Sequence, residues 1–475
     1  MTALDSTTAQ GLPVVIIGAG PVGLAAAAHA IERGLDPIVL ESGRHAGSSV
    51  REWAHISLFS PWRFDTDAAA RRLLARHGWD EPAGDEVPTG GDLVERYLQP
   101  LSEVPELAGR IRYGARVLSV SRAGIDKTRS IGREQHPFVV RVQTAVGVED
   151  VFARAVIDAS GTWHTPSPLG AMGIPAAGES EASEWLVGGL PDVLGEDRAR
   201  FAGKRTLVVG LGHSAANTLL ALVDLAHEAP GTEIVWAIRG DSPQRLYGAG
   251  AADELPERGA LGTRLESAVE AGDIRLLRRF EVASLTTAPG GRVAVTATGP
   301  EGDQTVTVDA VAAATGFRPD LDMTRELQLD LDSTTESPSR LAPLIDPNFH
   351  SCGTVEPHGA DVLAHPEKDF YVVGMKSYGR APTFLLATGY EQVRSVVAAI
   401  AGDHEAAGRV ELALPETGVC CSTPGASQPA LTSGFATGMA HGRSGEGQDA
   451  PVAIPAAATL LQVREVTASQ DACCS

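Results

Sequence analysis

Two kinds of hydrophobic run organise the chain. Val14-Val15-Ile16-Ile17 is apolar at every position; glycines follow, then an alanine-rich stretch to about Arg33, then a second apolar run, Ile38-Val39-Leu40. Short runs with no polar face suit strands covered on both sides, and the alanine stretch suits a helix lying close against them, so residues 14–41 are predicted to form a β-α-β unit. The pattern recurs from Thr206-Leu207-Val208-Val209, through a helix reaching about His227, to Ile234-Val235-Trp236-Ala237-Ile238. Between the two units, helices are expected near 67–77 and 90–104, and short strands near 111–120, 137–143 and 151–158, each bounded by Gly, Pro or Asp. Strands return at 291–299 and 304–314, and 383–401 reads as a closing helix. Beyond Pro415 large apolar residues thin out, which predicts a flexible linker over 422–455 and a short helix over Ala456 to Val466. The expected fold is α/β, with two Rossmann-type dinucleotide-binding domains. The first is discontinuous over 12–165 and 310–402, the second is inserted over 200–309, and a tail covers 403–475.

Composition narrows the partners. At 475 residues the chain is too long for one core, and 43% hydrophobic against 21% charged residues is enough apolar material to fold most of it. Asp+Glu 60 against Lys+Arg 39 leaves a net charge of -21, which repels phosphate backbones and anionic lipid, so neither nucleic acid nor a membrane is an expected partner. No apolar run is long enough to span a bilayer, and the start carries no basic segment followed by an apolar one; the cytoplasm is the expected compartment. In a reducing compartment the five cysteines are not expected to form structural bridges. Four stand as adjacent pairs, Cys420-Cys421 and Cys473-Cys474. Vicinal thiolates suit a soft metal or metalloid such as arsenite; exchange with a small thiol, or incidental placement in a flexible tail, are the alternatives. There is no C-x-x-C, and no zinc-ligand spacing.

The turns between strand and helix carry the most specific chemistry. Gly18-Ala19-Gly20-Pro21-Val22-Gly23 is G-x-G-x-x-G: Gly18 for the tight turn, Gly20 for close approach of a pyrophosphate, Gly23 for helix-strand packing, with Pro21 opening the helix. Glu41 closes the second strand, where a carboxylate accepts hydrogen bonds from ribose hydroxyls. The second turn, Gly210-Leu211-Gly212-His213-Ser214-Ala215, is the G-x-G-x-x-A variant, and its second strand ends in Arg239 instead of an acid. A cation there suits a 2′-phosphate and points to NADPH; a solvated strand end is the plainer alternative. Ala216 breaks the G-x-S-x-G pattern that would make Ser214 a hydrolase nucleophile. Two dinucleotide sites in one chain imply FAD followed by a nicotinamide nucleotide.

Further motifs resemble those of the two-dinucleotide-binding flavoproteins, in particular the flavin-containing, class B monooxygenase-like branch. Ala159-Ser160-Gly161-Thr162-Trp163 resembles that branch's link leaving the FAD domain, Phe201-Ala202-Gly203-Lys204-Arg205 its approach to the NADPH domain, and Ala314-Thr315-Gly316-Phe317-Arg318-Pro319-Asp320 its return to FAD. Ser57-Leu58-Phe59-Ser60-Pro61 is similar to a flavin-lining stretch of related bacterial proteins. Two departures stand out. No histidine occurs between His164 and His213, where the branch's F-x-G-x-x-x-H requires one, and Met375 in Tyr371-Val372-Val373-Gly374-Met375 replaces the acid of a Gly-Asp pair. The runs Arg51-Glu52-Trp53, Ser351-Cys352-Gly353-Thr354-Val355 and Gly374 to Pro382 look like flavoproteins associated with bacterial arsenic-resistance genes, and Asp471-Ala472-Cys473-Cys474-Ser475 resembles the Cys-Cys tail of mercuric reductases.

The resemblance implies cofactor contacts at Val117, Ser160, Gly161, Thr315, Gly316, Gly374 and Met375, beside the residues of the two turns. It implies Trp53 and His55 as candidate catalytic residues together with Cys473 and Cys474; Trp53 counts also as a flavin contact, and core packing is the alternative for Trp53, His55 and Trp62. The glycine-flanked loop with Lys376, Tyr378 and Arg380 is a candidate anion holder. The expected activity is oxidation of a soft nucleophile, a trivalent arsenical or a thiol, with dioxygen as co-substrate. A metal(loid) or disulfide reductase working through the cysteine pairs, and a metalloid carrier without turnover, are the alternatives. A homodimer stays open as the assembly.

Overall fold

Strands without a polar face need cover on both sides, and that requirement shapes the whole architecture. A computed structural model describes residues 11–248, 255–299, 302–347, 355–381 and 384–412. The chain divides into Met1–Ser422 and Thr423–Ser475, and every described residue belongs to the first unit. In chain order its strands are β1 (Val14–Ile17), β2 (Pro37–Leu40), β3 (Ile111–Arg112), β4 (Arg116–Arg122), β5 (Phe138–Thr144), β6 (Gly147–Ala153), β7 (Ala155–Asp158) and β8 (Leu186–Val187). There follow β9 (Arg205–Val209), β10 (Glu233–Ala237), β11 (Ile274–Leu277), β12 (Glu281–Ala288), β13 (Arg292–Thr298), β14 (Gln304–Val308), β15 (Ala310–Ala313) and β16 (Phe370–Val372).

They build two parallel five-stranded sheets, β16-β7-β1-β2-β3 and β11-β10-β9-β15-β8. The strand feeding each glycine turn, β1 or β9, lies at the centre of its sheet. One face of the first sheet is covered by the Pro21–Glu32 helix, whose Ala25, Ala26, Ala27 and Ala28 are wholly buried; methyl side chains let it lie close to the strands. The antiparallel sheet β4-β5-β6 covers the other face through Val120, Phe138, Val140 and Val142. The second sheet repeats the scheme, with the helices His213–Glu228 and Pro256–Ala271 on one face and the antiparallel β12-β13-β14 on the other.

Three features differ from the sequence expectation. β15, expected in the first module, pairs with β9 in register, Val311 opposite Leu207, and β8 pairs with β15 in turn. The second sheet therefore draws on chain beyond both ends of 200–309, because the free edge of β9 would otherwise leave a row of backbone groups unpaired. The Pro256–Ala271 helix carries two internal glycines, and these obscure it in the sequence. A side chain at Gly262 would come within 2.1 Å of Tyr247 O, so that glycine lets two segments touch. Finally, residues 403–412 do not belong to a loose tail. The His404–Gly408 helix is fastened to the Leu386–Ile400 helix by buried Arg394, which pairs with Glu391 at 2.7 Å and donates to Ala406 O at 2.8 Å. No described helix is long and apolar enough to cross a membrane.

Candidate functional site

The first glycine turn is built by close backbone contact. Gly18 adopts φ 100°, in the left-handed region, and its N–H donates to Leu40 O at 2.8 Å. A Cβ at Gly18 would lie 2.8 Å from Ala159 O, and one at Gly23 would lie 2.0 Å from Gly18 O, so neither position has room for a side chain. Gly20 is different, for a Cβ there would meet no protein atom within 4 Å. It is open toward a cavity of about 400 Å³ that the Gly18–Val22 turn lines together with Glu41, Ser48, Ser49 and Val117. The opposite wall comes from Ser160, Gly161, Trp163, His164, Gly374, Met375 and Phe384. Glu41 is buried; its Oε2 accepts from Ala19 N–H and its Oε1 from Gly43 N–H, each at 2.7 Å, which holds the carboxylate against the turn. No side chain caps the Pro21–Glu32 helix, so the uncapped N–H groups of its first turn face an open concavity, which suits a pyrophosphate. These donors and the carboxylate at the strand end fit the adenosine diphosphate half of FAD.

Trp163 and Phe384 give the cavity wall an aromatic part, and Trp163 is backed by further rings. The Trp163 ring lies 5.1 Å from Phe317 and 6.5 Å from Trp53, and its Nε1 donates to Glu52 Oε2 at 2.7 Å. His164 Nε2 is 3.3 Å from Ser49 Oγ and 3.9 Å from Glu52 Oε1. Gly374 N–H donates to Gln392 Oε1 at 2.7 Å, so this donor is engaged within the protein. Neither Trp53 nor His55 lines the cavity: Trp53 packs over Gly90, and His55 is exposed. Trp62 is wholly buried. The expectation of an anion-holding loop is overturned, because Lys376 is buried and paired with Asp158 at 2.7 Å, Tyr378 is buried, and Arg380 is paired with Glu336 at 2.8 Å. Asp158, Glu52 and His164 escaped the sequence reading; His164 directly follows the Ala159–Trp163 motif, which was the one available signal.

The second turn repeats the first. Gly210 has φ 140°, and a Cβ on it would lie 2.1 Å from Ala314 O, while Gly212 is open and the His213–Glu228 helix has no side-chain cap. Buried Ala215 stands where the first turn has its third glycine. Arg239 is exposed at the end of β10 and donates to Ala171 O at 3.2 Å. Thr315 Oγ1 donates to Ser167 O at 2.6 Å and Ser167 N–H to Gly316 O at 2.9 Å, so these two residues join the crossing strands and do not line the cavity. The His213 ring lies 4.9 Å from Phe59, which brings the second turn up to the first module, although none of Ser57 to Pro61 lines the cavity. Cys352, Cys420, Cys421, Cys473 and Cys474 lie outside the described residues. Among the described residues no group of three or more His, Cys, Asp or Glu side chains is placed to hold a metal ion.

Two nucleotide-binding turns at the carboxyl edges of two parallel sheets, the first opening onto a cavity and the second brought up to the same module through His213 and Phe59, define a redox protein of the two-dinucleotide class. Residues 15–341 match the pyridine nucleotide-disulphide oxidoreductase family, and the chain belongs to it. It is an FAD-dependent oxidoreductase, and the resemblance seen in the sequence is borne out at this level. Among solved structures it is similar to the bacillithiol disulfide reductase of Bacillus cereus, at 19% identity and TM-score 0.61 over 82% of this chain and 99% of that one. It is similar also to the FAD-bound cadaverine monooxygenase of Erwinia amylovora, at 14% identity and TM-score 0.56 over 90% and 99%. A flavin-containing monooxygenase from Stenotrophomonas maltophilia follows at 21% identity and TM-score 0.52 over 82% and 98%. At these identities the likeness is one of fold. No curated protein sequence matches the chain.

Proposed function

We propose that this protein is an NADPH-dependent flavin monooxygenase-like enzyme that oxygenates a soft nucleophile, a trivalent arsenical or a thiol. The observation that carries the reading is the cavity itself, which places the aromatic side chains Trp163 and Phe384 in one hollow with the dinucleotide turn and Glu41. Bound FAD supplies two-electron transfer from the nicotinamide and reaction with dioxygen. Two electrons from NADPH and two from the nucleophile reduce O₂, one oxygen atom passing to the product and the other leaving as water. The chain's own part is to bind and to exclude water. The first turn and Glu41 hold the adenosine end, and Trp163, backed by Phe317, and Phe384 make the reacting end apolar. His164 and Glu52 stand at its rim as groups able to exchange protons with solvent.

Arg239 is the residue for the 2′-phosphate in this reading. Arg239→Ala is expected to raise the KM for NADPH by about tenfold to a hundredfold, the worth of one or two charge-assisted hydrogen bonds, with little change for NADH. Steady-state kinetics with both nucleotides checks this, and an equal loss for both would remove Arg239 from the site.

The reaction class is tested by reducing the FAD-loaded protein anaerobically with NADPH and mixing it with oxygenated buffer while the flavin spectrum is recorded. A transient absorbing species before reoxidation, with a lifetime shortened by a trivalent arsenical or a thiol, is the expected result. Reoxidation without a transient, together with thiolate-to-flavin charge transfer, would favour the second reading, a reductase acting through the cysteine pairs. The family's name and the fold shared with a bacillithiol disulfide reductase make that reading worth testing.

A further inference from the structure

Parallel strands deliver whatever follows them to the same edge of a sheet. β7 and β16 are neighbours, with Val372 opposite Asp158, so the Ala159–Thr162 turn and the Gly374–Tyr378 turn leave side by side. One ion pair joins them. Lys376 Nζ lies 2.7 Å from Asp158 Oδ2, and neither side chain has any exposed surface. Lys376 Nζ also donates to Ser160 Oγ at 3.1 Å, and Ser160 donates to Asp158 Oδ1 through Oγ at 2.7 Å and through its backbone N–H at 3.1 Å. Val373 N–H donates to Asp158 O at 2.9 Å. Ala159 and Met375 line the cavity, so each charged residue directly adjoins a residue of its wall.

Stability does not account for this pair, because two charges withdrawn from water lose most of their mutual attraction to desolvation, and an apolar pair of equal volume serves a fold at least as well. We propose that Asp158 and Lys376 are positioning residues for the flavin: they clamp the two segments that face it, and their opposite charges balance one another beside it. The inference rests on the FAD reading above. Reduction of FAD by two electrons and one proton to FADH⁻ adds a negative charge to a site of low polarity, where nearby unbalanced charges act strongly.

The test is the midpoint potential of the bound flavin, read by spectroelectrochemical titration of the full-length FAD-loaded protein. Lys376→Met leaves the Asp158 carboxylate unbalanced and is expected to lower the potential; Asp158→Asn leaves the ammonium unbalanced and is expected to raise it. The double variant removes both charges and is expected to return the potential to the wild-type value while retaining FAD less tightly, since the clamp is gone. Shifts of the same sign, or no shift, in folded and FAD-loaded single variants would overturn the inference. Should neither charge variant fold, Lys376→Arg decides: it keeps the charge but not the fit of the clamp, so a potential near the wild-type value with looser FAD retention supports the inference, and unchanged retention overturns it. A wild-type chain that binds no FAD would defeat the functional reading itself.

Discussion

Gly23→Ala is expected to yield a protein that purifies without FAD. The added Cβ would stand 2.0 Å from Gly18 O, a distance no relaxed contact tolerates, and the helix must move away from the turn that cradles the pyrophosphate. Gly20→Ala makes the informative comparison, because its Cβ meets no protein atom within 4 Å and intrudes only on the space the cofactor needs. Both variants should lose about nine-tenths or more of their flavin, but only Gly23→Ala should also destabilise the protein without cofactor, by about 1–3 kcal/mol. Flavin absorbance per chain after gel filtration, with denaturant unfolding of the apoprotein, checks both statements. Retention of FAD by both variants would show that the cofactor does not lie along this turn.

The second large effect concerns pH. Asp65 is buried in the first module; its Oδ1 accepts from Ser60 Oγ at 2.7 Å, its Oδ2 has no partner, and Tyr390 Oη donates to its backbone O at 2.8 Å. Burial, opposed only in part by the Ser60 hydrogen bond, pushes its carboxyl up to about 7. Between pH 4 and 7 the folded chain therefore keeps a proton that the unfolded chain gives up, and stability falls with rising pH by as much as about 4 kcal/mol from this group. His365 acts in the opposite sense. Burial pushes it down to about 4, so below about pH 6.5 the unfolded chain takes up a proton that the folded chain refuses, and stability falls as the pH drops toward 4. The two slopes offset one another across much of this range. Asp65→Asn should unmask the histidine, giving a protein that gains stability relative to wild type by about 4 kcal/mol on going from pH 4 to pH 8. Unfolding curves for the two proteins at matched pH values measure this difference, and a constant difference across the range would refute it.

How much of this was legible beforehand depended on how local the signal was. β1, its turn, the helix from Pro21 and Glu41 lie within one short stretch, and a periodic pattern with glycines at fixed offsets suffices to read them. The same holds for the second turn. The helix over Pro256–Ala271 was hidden because glycine serves there for a close approach to Tyr247, which is a tertiary demand. Trp53 and His55, chosen as aromatic and imidazole groups near the right segment, do not line the cavity, because nearness along the chain does not specify which side chains of a short irregular stretch reach it.

The amino-acid pattern by itself determined two β-α-β units, their glycine turns, the acid at the end of one and the cation at the end of the other. These are properties of neighbouring residues and of backbone geometry. Only the tertiary structure decided that β15 closes the second sheet, that Phe59 meets His213, and that Lys376 is a buried partner of Asp158, 218 residues away. Such pairings depend on which strands become neighbours, and burial then selects among side chains whose charge, read along the chain, would have placed them in water.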